Sequence, residues 1–153
     1  MCIQLDRAAD YALKRGTGRE LSLEEGREIL RKSAEAGLVH VTDNRAAHGH
    51  IICNCCACCC IVLPVILRTR KRVLLAPSRF FPAVDADSCT LCSTCVEVCP
   101  VQALTLEDAG QGDALQVNQD LCLGCGQCAY QCPEDAIVME EVRNPDFIPG
   151  AAA

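Results

Sequence analysis

The chain has no tryptophan, and aromatic residues make up only 3% of its 153 residues. Any core must therefore be aliphatic. No nucleophile–base pair, phosphate-binding glycine loop or nucleotide fingerprint is apparent, so nothing marks an independent substrate pocket. The chain reads as a carrier or a subunit in preference to an enzyme, and no catalytic residue is assigned. Asp6 and Arg7 stand where a secretory signal would need an apolar run, and no apolar signal precedes Cys2 to make it a lipid acceptor. Ile51–Leu67 carries no charge, but it sits at the lower length limit for a membrane span and Pro64 interrupts it. No transmembrane span is expected. The basic run Arg68, Arg70, Lys71 and Arg72 lacks interleaved aromatics, so no nucleic-acid partner is expected and the run is read as solvated.

Against these absences stands an excess of cysteine. Fifteen cysteines inflate the 50% hydrophobic content, and cysteine used as a ligand does not build a core. A chain short of apolar burial usually recruits metal or disulfides. Without export the thiols stay reduced. Grouped cysteines in a reducing, cytoplasmic setting argue for metal, and the odd total fits poorly with complete pairing.

Eight of the cysteines form two copies of one pattern, 33 residues apart. Cys89, Cys92, Cys95 and Cys99 precede Pro100; Cys122, Cys125, Cys128 and Cys132 precede Pro133. Each is C-x₂-C-x₂-C-x₃-C-P, a run associated with bacterial iron–sulfur ligation. Three thiolates in a tight loop can wrap one compact metal centre. Proline then opens a helical turn and re-aims the chain, carrying the fourth cysteine away from its own loop. The flanks repeat as well. Val84–Cys89 matches Val117–Cys122, and Pro100–Glu107 matches Pro133–Glu140. Each unit reads as short strand, metal loop, short helix and short strand, with Glu107–Gln116 as the connecting loop.

On these two runs with their prolines, residues 80–142 resemble the bacterial 2[4Fe-4S] ferredoxin family. The resemblance implies two [4Fe-4S] clusters with exchanged fourth ligands: Cys89, Cys92, Cys95 and Cys132 on one, and Cys122, Cys125, Cys128 and Cys99 on the other. One departure is Leu91 and Ser93 in the first loop, where glycines are common; the second loop keeps Gly124 and Gly126.

The first half is different in texture. Residues 1–82 carry 13 Lys/Arg against 8 Asp/Glu, whereas residues 83–153 carry 1 against 12. A domain boundary is placed there. The expected fold class is α+β: a helical, Cys-rich domain over 1–82, a pseudo-twofold ferredoxin-type dicluster domain over 83–142, and a tail over 143–153. Leu5, Ala8, Ala9, Ala12 and Leu13 follow helical spacing up to Gly16. Ser22 and Glu25 form a capping-box pattern for a second helix ending at Gly37. Then six cysteines fall within eight positions: Cys53, Cys55, Cys56, Cys58, Cys59 and Cys60. Adjacent cysteines cannot all face one metal from a regular element, so only a subset would bind, in an iron–sulfur site with a zinc or copper site or redox-active thiols as the alternatives and with His40, His48 and His50 as lesser candidates. On a helix, Cys55 and Cys59, or Cys56, Cys59 and Cys60, would share a face. With Gly18–Glu20, Ala36–His40, Asn44 and Ala76–Phe80, this run resembles a Cys-rich module ahead of dicluster ferredoxin domains in anaerobic-type 4Fe-4S proteins.

The leading function is low-potential, one-electron transfer, with a possible third iron–sulfur cluster in the first module. The alternatives are a subunit of a larger oxidoreductase complex, a small-molecule-binding iron–sulfur protein, and a redox or metal sensor. The acidic second half suits steering onto a basic redox partner protein.

Overall fold

The computed structural model describes residues 2–44, 49–72, 74–108 and 113–148. By contact the chain divides into two compact units. One comprises the described residues up to Cys55 together with those from Pro145 onward; the other is Cys56–Asn144.

The first unit combines β1 (Cys2–Gln4), α1 (Asp6–Lys14), α2 (Leu23–Glu35), β2 (Val39–Thr42) and β3 (Ile51–Cys55), with a 3-10 turn at Pro145–Phe147. Both expected helices are present. Ser22 Oγ accepts the Glu25 N–H at 3.1 Å, and the Glu25 carboxylate accepts the Ser22 N–H at 2.9 Å. This reciprocal cap satisfies two of the amides that a helix start leaves open. Gly16 and Gly37 follow the two helices at positive φ. The unit is not purely helical, however. A three-stranded antiparallel sheet in the order β1-β3-β2 accompanies the helices. The alternation of Ile52 and Asn54 with Cys53 and Cys55 suits a strand, and cross-strand pairing settles what local preference leaves open. Among the described residues, Ile3, Ala12 and Val39 are its buried apolar side chains.

The second unit opens with α3 (Leu63–Thr69), with Pro64 in its first turn, where a missing N–H costs nothing. Leu63 and Ile66 are fully buried, while Ile61 is 88% exposed, so only part of the apolar 61–67 run is interior. The uncharged 51–67 stretch is thus split between a strand of one unit and a short helix of the other. No helix among the described residues is long and apolar enough to cross a membrane.

The rest of this unit runs β4 (Phe80–Val84), α4 (Thr94–Glu97), β5 (Leu104–Asp108), β6 (Asp113–Val117), α5 (Gln127–Tyr130) and β7 (Ile137–Glu141). The order strand, helix, strand occurs twice. β4 pairs with β7, first strand with last, and β5 pairs with β6. Glu107, Asp108 and Asp113–Gln116, expected in a loop, belong to this β5–β6 ladder; Gly110 and Gly112 lie outside the described residues. The backbone repeats along with the sequence. Leu91 and Gly124, Ser93 and Gly126, and Gln102 and Asp135 are three pairs at the 33-residue offset, and all six have positive φ. At Asp85 the side chain accepts the Asp87 N–H, and at Asn118 the side chain accepts the Asp120 and Leu121 N–H groups. These matched turns launch each cysteine loop. Between the repeats, Cys95, Leu104, Cys128 and Ile137 form one buried core.

Candidate metal centres

The two cysteine loops fold against two cavities. One is lined by Cys89, Cys92 and Cys95 and by Cys132 from the other repeat. The second is lined by Cys122, Cys125 and Cys128 and by Cys99. Leu106 and Leu115 of the β5–β6 ladder wall the first, and Pro82 and Met139 of the β4–β7 ladder wall the second. Each cavity therefore has an apolar wall and four sulfurs, and none of the eight cysteines is disulfide-bonded. That donor set fits a thiolate-held iron–sulfur cluster.

The local chain conformation brings this about. A left-handed residue, Ser93 or Gly126, precedes each four-residue helix. The turn sets Cys95 and Cys128 on the second residue of each helix and buries both. Leu91 and Ser93 hold φ of 56° and 67°, a region that side chains disfavour, so the first loop repeats the second's path without its glycines. Gly124 has a second reason to lack a side chain. A Cβ there would lie 2.1 Å from the Phe80 carbonyl oxygen. Polar contacts to sulfur also differ between the sites. The Ala103 N–H meets Cys99 Sγ at 3.2 Å, the Gly124 N–H meets Cys122 Sγ at 3.4 Å, and the Thr94 hydroxyl lies 3.4 Å from Cys92 Sγ.

Electrostatics divide the sulfurs. The Thr94 hydroxyl and amide hold the exposed Cys92 thiol below its ordinary pKa. Burial pushes Cys95 and Cys122 up, and pushes Cys125 to about 11 and Cys128 to about 12. Metal entry at the second cavity must displace protons from thiols that the fold keeps neutral.

Two arginines of the basic run are not merely solvated. Arg70 donates to the carbonyls of Val101 at 3.3 Å and Gln102 at 3.2 Å, and Arg72 donates to the Cys122 carbonyl at 2.8 Å. Both clasp backbone at the second cavity. Nothing in the sequence signalled this, because a carbonyl acceptor leaves no residue signature.

The other cysteine run is dispersed. Cys53 and Cys55 lie in β3 of the first unit, and Cys56–Cys60 belong to the second. They are in a strand and a turn, so the shared helical face considered for Cys56, Cys59 and Cys60 does not form. Cys56 and Cys58 are joined by a disulfide, and Cys59 Sγ is 3.6 Å from Cys58 Sγ. Cys60 Sγ accepts the Val62 N–H at 3.4 Å. His40 Nδ1 contacts Asn54 Oδ1 at 2.6 Å across β2 and β3, and the His50 N–H donates to Asp43. His48 lies outside the described residues.

No curated protein matches the sequence. Residues 88–136, about a third of the chain, match the family of 4Fe-4S dicluster domains. This match supports a ferredoxin-type domain over that segment, and a 4Fe-4S dicluster domain points to iron–sulfur electron transfer.

Proposed function

We propose that the chain relays single, low-potential electrons through two [4Fe-4S] clusters. In this reading Cys89, Cys92, Cys95 and Cys132 hold one cluster, and Cys122, Cys125, Cys128 and Cys99 hold the other. The observation that supports it is the lining of the two cavities, each combining three cysteines of one loop with the fourth of the other repeat. A [4Fe-4S] cluster, when bound, takes up and releases one electron at a potential set by charge, exposure and hydrogen bonds to sulfur.

The chain's own residues do the rest. Leu106, Leu115, Pro82 and Met139 exclude water from the cavity walls. The Gly124 amide and the Thr94 hydroxyl face the sulfurs of Cys122 and Cys92 and favour their charged form, and the Ala103 amide donates to Cys99 Sγ. Exchange of the fourth ligand ties the two repeats into a pseudo-twofold body, so metal binding contributes directly to folding. We take residues 83–142 as this dicluster domain, 1–82 as a Cys-rich metal-binding module with its linker and 143–153 as a tail. A subset of Cys53, Cys55, Cys56, Cys58, Cys59 and Cys60 supplies a further metal centre. With 12 acidic residues against 1 basic over 83–153, the partner is a redox protein or a larger oxidoreductase complex with a basic docking face, in the cytoplasm.

The test is comparative. Anaerobically purified Cys132→Ala is examined by iron and sulfide analysis and by electron paramagnetic resonance after reduction, beside Cys92→Ala and Cys125→Ala. Cys132→Ala should reproduce the spectrum of Cys92→Ala. If it matches Cys125→Ala instead, the exchanged ligation is wrong; full sulfide in all three variants would end the cluster assignment altogether.

A further inference from the structure

Outside the two cavities, sulfur gathers once more. The Sγ atoms of Cys56, Cys58 and Cys59 all lie within 4.8 Å of one another. A single turn achieves this: the N–H groups of Cys59 and Cys60 both point to the Cys56 carbonyl, at 3.4 and 3.1 Å. Cys58 and Cys59 are exposed and Cys56 is half-buried, so ions and thiols reach the group from solvent. The neighbouring cysteines are engaged elsewhere. Cys53 and Cys55 belong to β3, and Cys60 accepts the Val62 amide.

We propose that Cys56, Cys58 and Cys59 form a three-thiolate site for one soft cation of the Zn²⁺ type, shut by the Cys56–Cys58 disulfide and opened by its reduction. The proposal rests on the reading that the 53–60 stretch binds metal, and it narrows that stretch to three sulfurs and one controlling bond. With Zn–S near 2.3 Å, two sulfurs on one tetrahedral ion lie about 3.8 Å apart. Cys58 and Cys59 already stand 3.6 Å apart, and Cys56 and Cys58 part once their bond is reduced. Thiolates select soft cations over magnesium or calcium. While the disulfide stands, two of the three donors are committed to each other.

Opening is a thiol–disulfide exchange. A thiolate of an incoming dithiol attacks the Cys56–Cys58 bond, which breaks. The dithiol's second sulfur completes the transfer, leaving the dithiol as a disulfide and delivering two electrons and two protons to the chain as two thiols. Loading Zn²⁺ on the three thiolates then releases three protons.

The experiment uses the full chain with its iron loaded, prepared anaerobically, half of it treated with a phosphine reductant. Zn²⁺ is titrated in competition with a colorimetric chelator. The reduced chain should take up one equivalent, and the oxidised chain should bind at least tenfold more weakly. Cys59→Ser should lose at least tenfold in affinity and Cys53→Ser should lose none, with unchanged iron content showing that both variants fold. Equal uptake in the two redox states, or dependence on Cys53 and not on Cys59, overturns the proposal. Iron well above about eight per chain, retained in Cys59→Ser, overturns the three-sulfur site while leaving a third cluster standing. No zinc uptake in either state with iron at about eight removes both readings.

Discussion

Replacing Gly124 with alanine isolates what holds the second cysteine loop against β4. The added Cβ would sit 2.1 Å from the Phe80 carbonyl oxygen and 2.9 Å from Ser78 Cβ. An ordinary carbon–oxygen contact is about 3.3 Å or more, so backbone must move by about an ångström. The Ser78 N–H donates to the Leu123 carbonyl at 2.7 Å, and that bond lies in the path of the movement. Left-handed strain at φ +65° adds about 1–2 kcal/mol for a non-glycine residue. Overpacking adds about 1–3 kcal/mol. The sum, about 2–5 kcal/mol, is a large fraction of a small domain's stability. Gly126 is the internal control. Its φ is +80°, but a Cβ there meets only Met139 Cγ, at 4.0 Å, so Gly126→Ala carries the strain of about 1–2 kcal/mol alone. The assay is loss of the cluster's visible absorbance in urea, under anaerobic conditions. At a slope of about 1–3 kcal/mol per molar, a 2 kcal/mol difference separates the two midpoints by about 1 M. Equal midpoints for Gly124→Ala and Gly126→Ala would refute the argument that close approach of β4, beyond backbone handedness, sets this position.

The remaining predictions come from the same geometry. Leu91→Gly and Ser93→Gly should each be neutral to stabilising by up to about 1 kcal/mol in the same urea assay, because relief of left-handed strain outweighs the added freedom of the unfolded chain. Arg72→Gln removes a cation from the Cys122 carbonyl; it should lower the reduction potential of the centre at the second loop and leave the other unmoved, as read by a potentiometric resonance titration. In the metal-free chain, the raised thiols of Cys125 and Cys128 favour the folded state below the ordinary pKa of 9.0, and that contribution is lost as pH rises through about 11 and 12. Alkylation and mass spectrometry should therefore find Cys92 modified at lower pH than either of them. Ser22→Ala should cost about 1 kcal/mol through loss of the reciprocal cap, seen as a lower helix melting midpoint by circular dichroism.

What was legible in the sequence was what is local. The Ser22–Glu25 cap spans four residues, and α1 and α2 carry their own periodicity and stops, so both helices could be read directly. The cysteine runs were legible because a metal loop writes its ligands at fixed spacing, and Leu91 and Ser93 stood out by comparison with Gly124 and Gly126. The sheet of the first unit was not. Cys2 pairs with Cys53 and Val39 with Cys55 across long stretches of chain, and short strands acquire their identity from partners. The clasp of Arg70 and Arg72 on carbonyls was equally hidden, since every residue offers the same acceptor. The Cys56–Cys58 bond depends on a turn whose shape six crowded cysteines do not announce.

In the β4–β7 ladder, Phe80 stands opposite Glu141. Entry to and exit from the dicluster region are thus side by side, as in a cassette whose two leads leave through one port. Such a region can be spliced into a host polypeptide, or swap its flanking segments for others, while its sulfur loops stay undisturbed.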